Sequence, residues 1–373
     1  MENSRKPRHA DLDAHFSAFL QQHFFPGQHV VLGLSGGLDS RVLLHLLANA
    51  RQQMDFKLSA IHINHRISPN ADGWANFCAE LCANDGIPFQ AVAVDVPRDS
   101  GLGLEAAARE ARYRVLLAQD ADAIVLAHHQ DDQAETLLLQ LLRGAGVKGL
   151  AAMPGVRYQG SGIKGPKANI DPSLRTGKSR GEEEKPILRP LLDVSRSVLF
   201  EYAKAHGLEW IEDESNLDLA YDRNYLRSRI LPELEQRFPA ARKTLARSAS
   251  HLAEAAALLE EVAREDAVCA VSDGRLDLAM LKAMSAARAT NLLRWWVAQQ
   301  AGVPISTARL ADIRSQLLNA KPDARIHISL GMAVLCRRRG FALIERAGDV
   351  APARRSPEGA AGLEQGDATH LPE

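Results

Sequence analysis

The sequence predicts an α/β fold: a doubly wound parallel sheet of about five strands, then a linking helix and a smaller, mainly helical C-terminal domain ending in a short β-meander. Three observations carry this expectation. The apolar, β-branched runs HVVLGLS (29–35), KLSAIHIN (57–64), FQAVAVDV (89–96) and AIVLAHH (123–129) start 28, 32 and 34 residues apart, the length of a βα unit. Each run is continuously apolar, as strands buried on both faces are. Between them lie stretches of helical spacing at 39–50, 74–85, 104–119 and 132–143. Right-handed crossovers then put helices on both sides of the sheet.

Each later element follows from pattern. PILRPLL (186–192) reads as a fifth strand and 195–206 as the next helix. The segment 159–186 has no apolar period and five glycines, so it is expected as a flexible surface insertion. Residues 223–247 read as one or two linking helices with seven Lys or Arg against two Glu, a basic strip suited to phosphates. Helical periodicity returns at 245–265, 287–300 and 307–318, and RIHISL, AVLCRRR and FALIE (325–345) form the meander, joined by Gly331 and Gly340. The residues from 347 read as a disordered tail. The expected domains are 1–210, catalytic; 211–244, linking and basic; and 245–346, C-terminal.

Composition bounds the function. The 373 residues are 46% hydrophobic and 24% charged with a net charge of -1, which fits a folded chain and excludes a globally basic nucleic-acid binder. Cys78, Cys82, Cys269 and Cys336 are too few and scattered for a disulfide framework, and no C-x-x-C occurs. They are expected as buried thiols. With no signal core near the start and no run of membrane-spanning length, a reducing cytoplasm is the expected location.

Ligands of doubly wound sheets bind at the carboxyl ends of the strands, so the polar residues there are the site candidates. After the first strand comes Ser35-Gly36-Gly37-Leu38-Asp39-Ser40, leading into a helix. Two glycines allow close approach of an anion, and the helix start adds free N–H groups. No Walker lysine is present, so the loop is not a Walker P-loop. An aspartate in a phosphate site calls for a cation, and Mg²⁺ bridging Asp39 to phosphates would fit. The bland alternative is a tight turn with Asp39 and Ser40 as caps. His62 and Asn64 stand at the second strand's end. After the fourth comes His128-His129-Gln130-Asp131-Asp132-Gln133-Ala134-Glu135-Thr136. Asp132 and Glu135 share a helix face there and could hold a metal or a cationic substrate, or take a proton. The bland alternative caps the helix with Asp131 or Asp132 and leaves Glu135 solvated. Glu105, Arg109 and Arg112 form one helical stripe, either an exposed ion-pair row or a reach toward phosphates.

SGGLDS resembles the PP-loop of the ATP pyrophosphatases, a Rossmann-like superfamily in which the loop holds the β- and γ-phosphates while the α-phosphate is attacked. Together with HINH, LEAAAREARYR, AHHQDDQAETLLLQLLRGAG, ILRPLL and EDESNLDLAYDRNYLRSRILPEL (212–234), it resembles one branch, the tRNA(Ile)-lysidine synthases, over roughly 28–345. The resemblance implies ATP with Mg²⁺, free L-lysine and the CAU-anticodon tRNA(Ile) as reactants. The wobble cytidine is adenylated on its C2 oxygen, lysine attacks C2, and AMP leaves. It further implies Ser35, Gly36, Gly37, Leu38, Asp39, Ser40, His62 and Asn64 for the nucleotide, with Asp39 on the metal. Arg109 would meet phosphate, and Asp132 would hold the lysine amine or take its proton, supported by Asp131, Glu135 and His128. Arg112, Arg189, Asp213, Asn216, Arg223, Asn224 and Arg227 would hold substrate. Longer members carry a further C-terminal domain, for which the chain after 346 is expected to be too short. The alternatives are a PP-loop tRNA thiolase, disfavoured by the cysteine pattern, and a non-catalytic nucleotide-binding scaffold, disfavoured by intact motifs. The sequence leaves a homodimer open.

Overall fold

The structure, a computed structural model, describes residues 11–96, 104–158 and 185–346, apart from 304, 322, 323 and 325. The expected insertion lies outside the described residues except for 185 and 186, and the tail from 347 lies outside them entirely. The chain divides into two compact units, Met1–Asp266 and Ala267–Glu373.

The first unit runs α1 (Leu12–His23), β1 (Gln28–Gly33), α2 (Leu38–Ala50), β2 (Phe56–Asn64), α3 (Ala71–Asn84), β3 (Phe89–Ala93), α4 (Leu104–Leu117), β4 (Ala123–Val125) and α5 (Gln130–Leu142). It continues with α6 (Val147–Leu150), β5 (Val156–Tyr158), β6 (Pro186–Leu188), α7 (Arg196–Ala205), a 3₁₀ turn (Glu214–Leu217) and α8 (Asp222–Tyr225). A π-turn (Leu226–Ile230) leads into α9 (Leu231–Arg237), and α10 (Ala241–Ala270) follows. The strand order is β3-β2-β1-β4-β6-β5. All neighbours are parallel except β5 and β6, which pair antiparallel from Val156↔Leu188 to Tyr158↔Pro186. The sheet thus has six strands where about five were expected, and the extra one is a three-residue antiparallel edge. The expected fifth strand is three residues long; Arg189-Pro190 leaves the sheet because proline offers no N–H to a ladder.

Alternation along the strands covers both faces, as the apolar runs require. On β1, Val30 and Leu32 join a core with Leu43, Leu46 and Leu199, while Val31 points the other way to Leu116, Ile124 and Ile187. The chain steps outward from β1 to β2 to β3 and then returns to the opposite side of β1 as β4. The direction of winding reverses there, so a crevice opens between the carboxyl ends of β1 and β4.

The second unit packs α11 (Leu278–Ala283), α12 (Ala286–Ala301) and α13 (Thr307–Asn319) with an antiparallel sheet ordered β7-β8-β11-β10-β9. Its strands are β7 (Val271–Ser272), β8 (Arg275–Asp277), β9 (His327–Ser329), β10 (Ala333–Arg338) and β11 (Phe341–Arg346). Trp296, fully buried, anchors this core and donates its indole N–H to the Gly274 carbonyl at 3.0 Å. The expected meander is present as β9 to β11 and gains two short strands.

Candidate active site

The loop after β1 is braced from within and from outside. Gly36 has φ +86°, open to glycine and costly for other residues. A Cβ there would lie 3.0 Å from Ile211 Cδ1 and 3.1 Å from Cys78 Sγ. The Ile211 amide donates to the Gly36 carbonyl at 2.9 Å, tying the loop to the chain beyond α7. Ser40 Oγ donates to the Gly37 carbonyl at 3.0 Å and accepts from the Ser35 amide at 3.2 Å. Ser35 Oγ lies 3.0 Å from Ser40 Oγ and accepts the Gly37 amide at 3.3 Å. Leu38 is buried and anchors the start of α2, so it shapes the loop through packing. These bonds hold a nest whose helix end favours an anion.

Asp39 stands in the first turn of α2 with its side chain 29% exposed. Its Oδ2 lies 3.4 Å from His129 Nε2 and its Oδ1 3.9 Å from Arg196 Nε, but the buried Oδ1 accepts no hydrogen bond. A buried carboxylate oxygen without a donor suits a cation. Among the described residues no cluster of three or more His, Cys, Asp or Glu stands ready for a metal. A Mg²⁺ ion taking one protein carboxylate and the rest of its shell from phosphates and water fits that donor set.

Across the crevice, α5 begins at the end of β4. His129, with its side chain 2% exposed, is the N-cap: its Nδ1 accepts the Asp131 amide at 3.2 Å. Asp132 Oδ2 reciprocates by accepting the His129 amide at 2.9 Å, a capping box built from histidine and aspartate. Nδ1 being an acceptor, the hydrogen sits on Nε2, which faces Asp39 Oδ2 and, at 3.6 Å, Asp132 Oδ2. Burial opposes charge on His129, yet Asp132, Asp39 and Asp131 raise its imidazole to about 9. A second proton would have to displace the Asp131 amide from Nδ1. Burial would raise Asp132, but His129 above all holds that carboxyl below its ordinary value.

Glu135 differs from the solvated residue of the bland reading: its side chain is 0% exposed. Arg227, carried in by the π-turn, clamps it with bonds of 2.6 Å to Oε1 and 2.9 Å to Oε2, and also reaches Asp132 Oδ1 at 3.3 Å. Burial pushes the Glu135 carboxyl up and Arg227 draws it back; the bidentate geometry is that of a charged pair. Asp131 is bound elsewhere, to Arg242 Nη1 at 3.1 Å and the Arg196 amide at 3.1 Å. Asp132 is therefore the α5 carboxylate facing both His129 and Arg227.

Arg189, 1% exposed, leaves the end of β6 and donates to the Pro154 carbonyl (2.8 Å), His128 Nδ1 (3.3 Å) and the Tyr113 hydroxyl (3.3 Å). Burial, with Arg189 and Arg109 adding to it, pushes His128 down to about 3, so it is a neutral acceptor. Arg109 lies over the Tyr113 ring at 5.1 Å, while Arg112 is exposed on the same helix. The Glu105 side chain lies outside the described residues. At the end of β2, His62 Nδ1 bonds the Leu34 carbonyl at 2.9 Å. Asn64 donates to Asp72 at 2.8 Å and accepts the Arg66 amide at 2.8 Å. Both are buried with these protein partners, so their side chains brace the crevice wall. Asp213 accepts the Asn216 amide at 3.1 Å through its carbonyl, Asn224 donates to the Asp218 carbonyl at 2.9 Å, and Arg223 on α8 lines a cleft beside α5. Cys78 and Cys82 are buried near the loop, and burial pushes their thiols up to about 12 and about 11.

The structure thus joins Asp39, Asp131, Asp132, Glu135 and Arg227 in one network and places His128, Arg109 and Arg189 in a second beside it. Sequence reasoning missed His129, Arg196, Arg242 and Tyr113 as members. His129 carried a usable signal, since a polar residue three before Asp132 at a strand-to-helix junction is a capping pattern.

A PP-loop domain family model matches residues 9–234, and a TilS substrate binding domain model matches 276–342. The chain is 45% identical to the tRNA(Ile)-lysidine synthase of Nitrosomonas europaea over 323 residues, which cover 87% of this chain and 66% of that protein. It is 43% identical to that of Azoarcus sp. (strain BH72), covering 88% and 68%. The chain therefore spans about two thirds of the length of these relatives. Among solved structures, the U34-tRNA thiolase NcsA from Methanococcus maripaludis with its [4Fe-4S] cluster aligns with a TM-score of 0.51 at 20% identity, covering 66% of this chain and 79% of that one, a likeness of fold. With the PP-loop braced opposite the α5 carboxylates and two domain models in order along the sequence, this chain belongs to the tRNA(Ile)-lysidine synthase family.

Proposed function

We propose that the chain joins the ε-amine of free L-lysine to C2 of the wobble cytidine, position 34, of tRNA(Ile) with a CAU anticodon. ATP is split to AMP and diphosphate, and the tRNA changes from reading AUG to reading AUA. The observation that carries this reading is the single carboxylate network that runs from the phosphate loop to α5, Asp39 to His129 to Asp132.

The C2 oxygen of cytosine attacks the α-phosphorus and diphosphate departs. The amides of Gly36 and Gly37 and the hydroxyls of Ser35 and Ser40 receive the diphosphate, and Arg109 stabilises the phosphoryl charge. Mg²⁺ held by Asp39 would neutralise charge on the triphosphate. In the second step the lysine nitrogen attacks C2, and the C2–O bond breaks as AMP leaves with its oxygen. The lysine ammonium first gives up one proton to solvent, which frees the lone pair that attacks, and Asp132, kept ionised, holds the nitrogen in place. Asp132 takes the second proton as the C–N bond forms, when the nitrogen becomes acidic. Glu135 and Arg227 fix Asp132 in place. A wobble base in a single-stranded loop leaves its stack at low cost. Asp213, Asn216, Arg223, Asn224 and the basic strip beyond them hold the RNA. A reducing cytoplasm suits the free thiols, of which Cys78, Cys82 and Cys336 are buried as expected while Cys269 is exposed, and no helix among the described residues is long and apolar enough to cross a membrane.

The test is incubation of the purified chain with ATP, Mg²⁺, labelled lysine and a CAU-anticodon tRNA(Ile) transcript. Label at nucleotide 34 with stoichiometric AMP and diphosphate is expected. ADP and orthophosphate as products, or label at the 3′ end, would overturn the reading.

A further inference from the structure

One side chain touches both arginines of the second network and has no part in the reaction above. Tyr113 stands on α4 one turn after Arg109, half-buried, with its ring packed on the face of the sheet that carries Val31, Ile124 and Ile187. Those side chains are themselves buried, so the ring has little room to turn. The Arg109 guanidinium carbon lies 5.1 Å from the ring centroid, within cation–π range. Arg109 Nη2 also reaches the phenol oxygen at 3.5 Å, a long contact, so the ring face does most of the holding. From the other side Arg189 Nη2 donates to the same oxygen at 3.3 Å, across 76 positions of sequence. Tyr113 is therefore the joint between α4 and the end of β6.

The chemistry of this joint matters as much as its place. The buried Arg189 directs its donors to a carbonyl, a neutral imidazole and the phenol, and none of these acceptors carries a negative charge at neutral pH. A carboxylate in the phenol's position would hold two guanidinium groups more firmly. It would also cancel the positive charge that Arg109 must offer a phosphoryl group. An aromatic ring fixes a guanidinium through its quadrupole and leaves the net charge in place. Burial pushes the Tyr113 phenol up, but Arg109, Arg189 and Arg112 together draw it below its ordinary value, as close guanidinium groups must. A long arginine side chain locked before substrate arrives needs no reorganisation as charge develops, whereas a loose one would lose rotamer freedom at every turnover.

We propose that Tyr113 is a positioning residue for the adenylation step: its ring and hydroxyl aim Arg109 at the phosphoryl group and leave the charge of that arginine uncancelled. The inference rests on the functional reading above, in which Arg109 meets the phosphoryl group.

The experiment uses the full chain with Tyr113→Phe, Tyr113→Leu, Arg109→Ala and Tyr113→Leu/Arg109→Ala. Diphosphate release from labelled ATP is followed in single turnovers with the CAU-anticodon tRNA(Ile) transcript, at varied ATP. Tyr113→Leu should lower the maximal rate at least about tenfold and leave half-saturating ATP within about twofold, the split expected when transition-state stabilisation alone is lost. Tyr113→Phe keeps the ring and should stay within about threefold of the wild type. Added to Arg109→Ala, Tyr113→Leu should cost less than about twofold more, because it acts through that arginine. Additive losses would mark a merely structural tyrosine and overturn the proposal, as would a Tyr113→Leu or an Arg109→Ala chain as fast as the wild type. Carbon-13 NMR of the tyrosine rings gives a readout independent of turnover, and it decides the case if Tyr113→Leu fails to fold. Arg109→Ala should raise the Tyr113 phenol midpoint, and an unchanged midpoint would overturn the contact itself. A wild-type chain that releases no diphosphate would overturn the functional reading and this role together, whereas the other adverse results overturn the role alone.

Discussion

Replacing Arg227 with methionine strands Glu135 in the interior. The Glu135 side chain is 0% exposed and has both oxygens on that guanidinium, at 2.6 and 2.9 Å. A buried carboxylate robbed of its partner costs about 3–5 kcal/mol. Protonation sets a ceiling. An ordinary glutamate titrates near 4.3, and each unit above it costs about 1.4 kcal/mol to hold the proton, so at pH 7 the charge-related loss cannot exceed about 3.7 kcal/mol. At pH 5 the same ceiling is about 1 kcal/mol. The sign follows from linkage: a carboxyl whose folded pKa lies above its unfolded value binds a proton in the native state alone, so stability falls as pH rises through that window. Arg227→Met should therefore lose no more than about 1 kcal/mol at pH 5 and about 3–3.7 kcal/mol at pH 7. Arg227→Met/Glu135→Gln should abolish the pH dependence by removing the titrating group. Urea unfolding followed by tryptophan fluorescence at pH 5, 6 and 7 measures all three chains. A deficit that does not change with pH, or a double variant as pH-sensitive as the single one, would refute the buried charged pair.

Three further outcomes are expected. Gly36→Ala meets a left-handed backbone and two contacts near 3 Å; it should cost about 1–2 kcal/mol from the backbone alone, seen by thermal melting, and weaken nucleotide binding. Asp39→Asn should leave the melting temperature within about 2 °C, the effect of a fraction of a kcal/mol in a chain this size. It should nevertheless lower diphosphate release at least tenfold, a difference that a retained Mg²⁺ response in the variant would contradict. His15 bonds Asp193 at 2.9 Å, which raises its imidazole above 6.5 despite burial. Its contribution to stability is full below about pH 6.5 and fades as pH rises through the folded value. Proton NMR of the His15 ring should show the raised midpoint, and Asp193→Asn should bring it down.

The parallel sheet was legible because strands covered on both faces leave continuous apolar runs, and the phosphate loop was legible because its chemistry sits in six adjacent residues. Edge strand β5 was not, since three residues carry no period. α1 had a signal in Leu12, Phe16 and Leu20, spaced four apart and buried. The hairpin of β7 and β8 had one in Asp273-Gly274, both at positive φ as a type I′ turn requires. Asp39, Asp132, Glu135 and Arg227 could be nominated from sequence, but not their pairing, and His129, Arg196, Arg242 and Tyr113 were not nominated. Glu135 and Arg227 meet across 92 positions, and only the return of the chain past β4 and β6 brings them together. Sequence reasoning therefore offered Glu135 as an open carboxylate, whereas the fold makes it the anchor that holds Arg227 against Asp132.

The π-turn at Leu226–Ile230 has a consequence for how this family can vary. Such a turn is an α-helix with one surplus residue, looped out where a side chain must be delivered off the regular path. Deleting a single position between 226 and 230 would let the helix from 222 to 237 relax into uninterrupted winding, and every residue on one side would swing by about 100° relative to the other. Arginine would still be encoded but would aim at solvent. Substitutions at Ser228 or Ile230 should thus be forgiven far more readily than any change in count, and length through this segment should be held invariant where its spelling is free to drift.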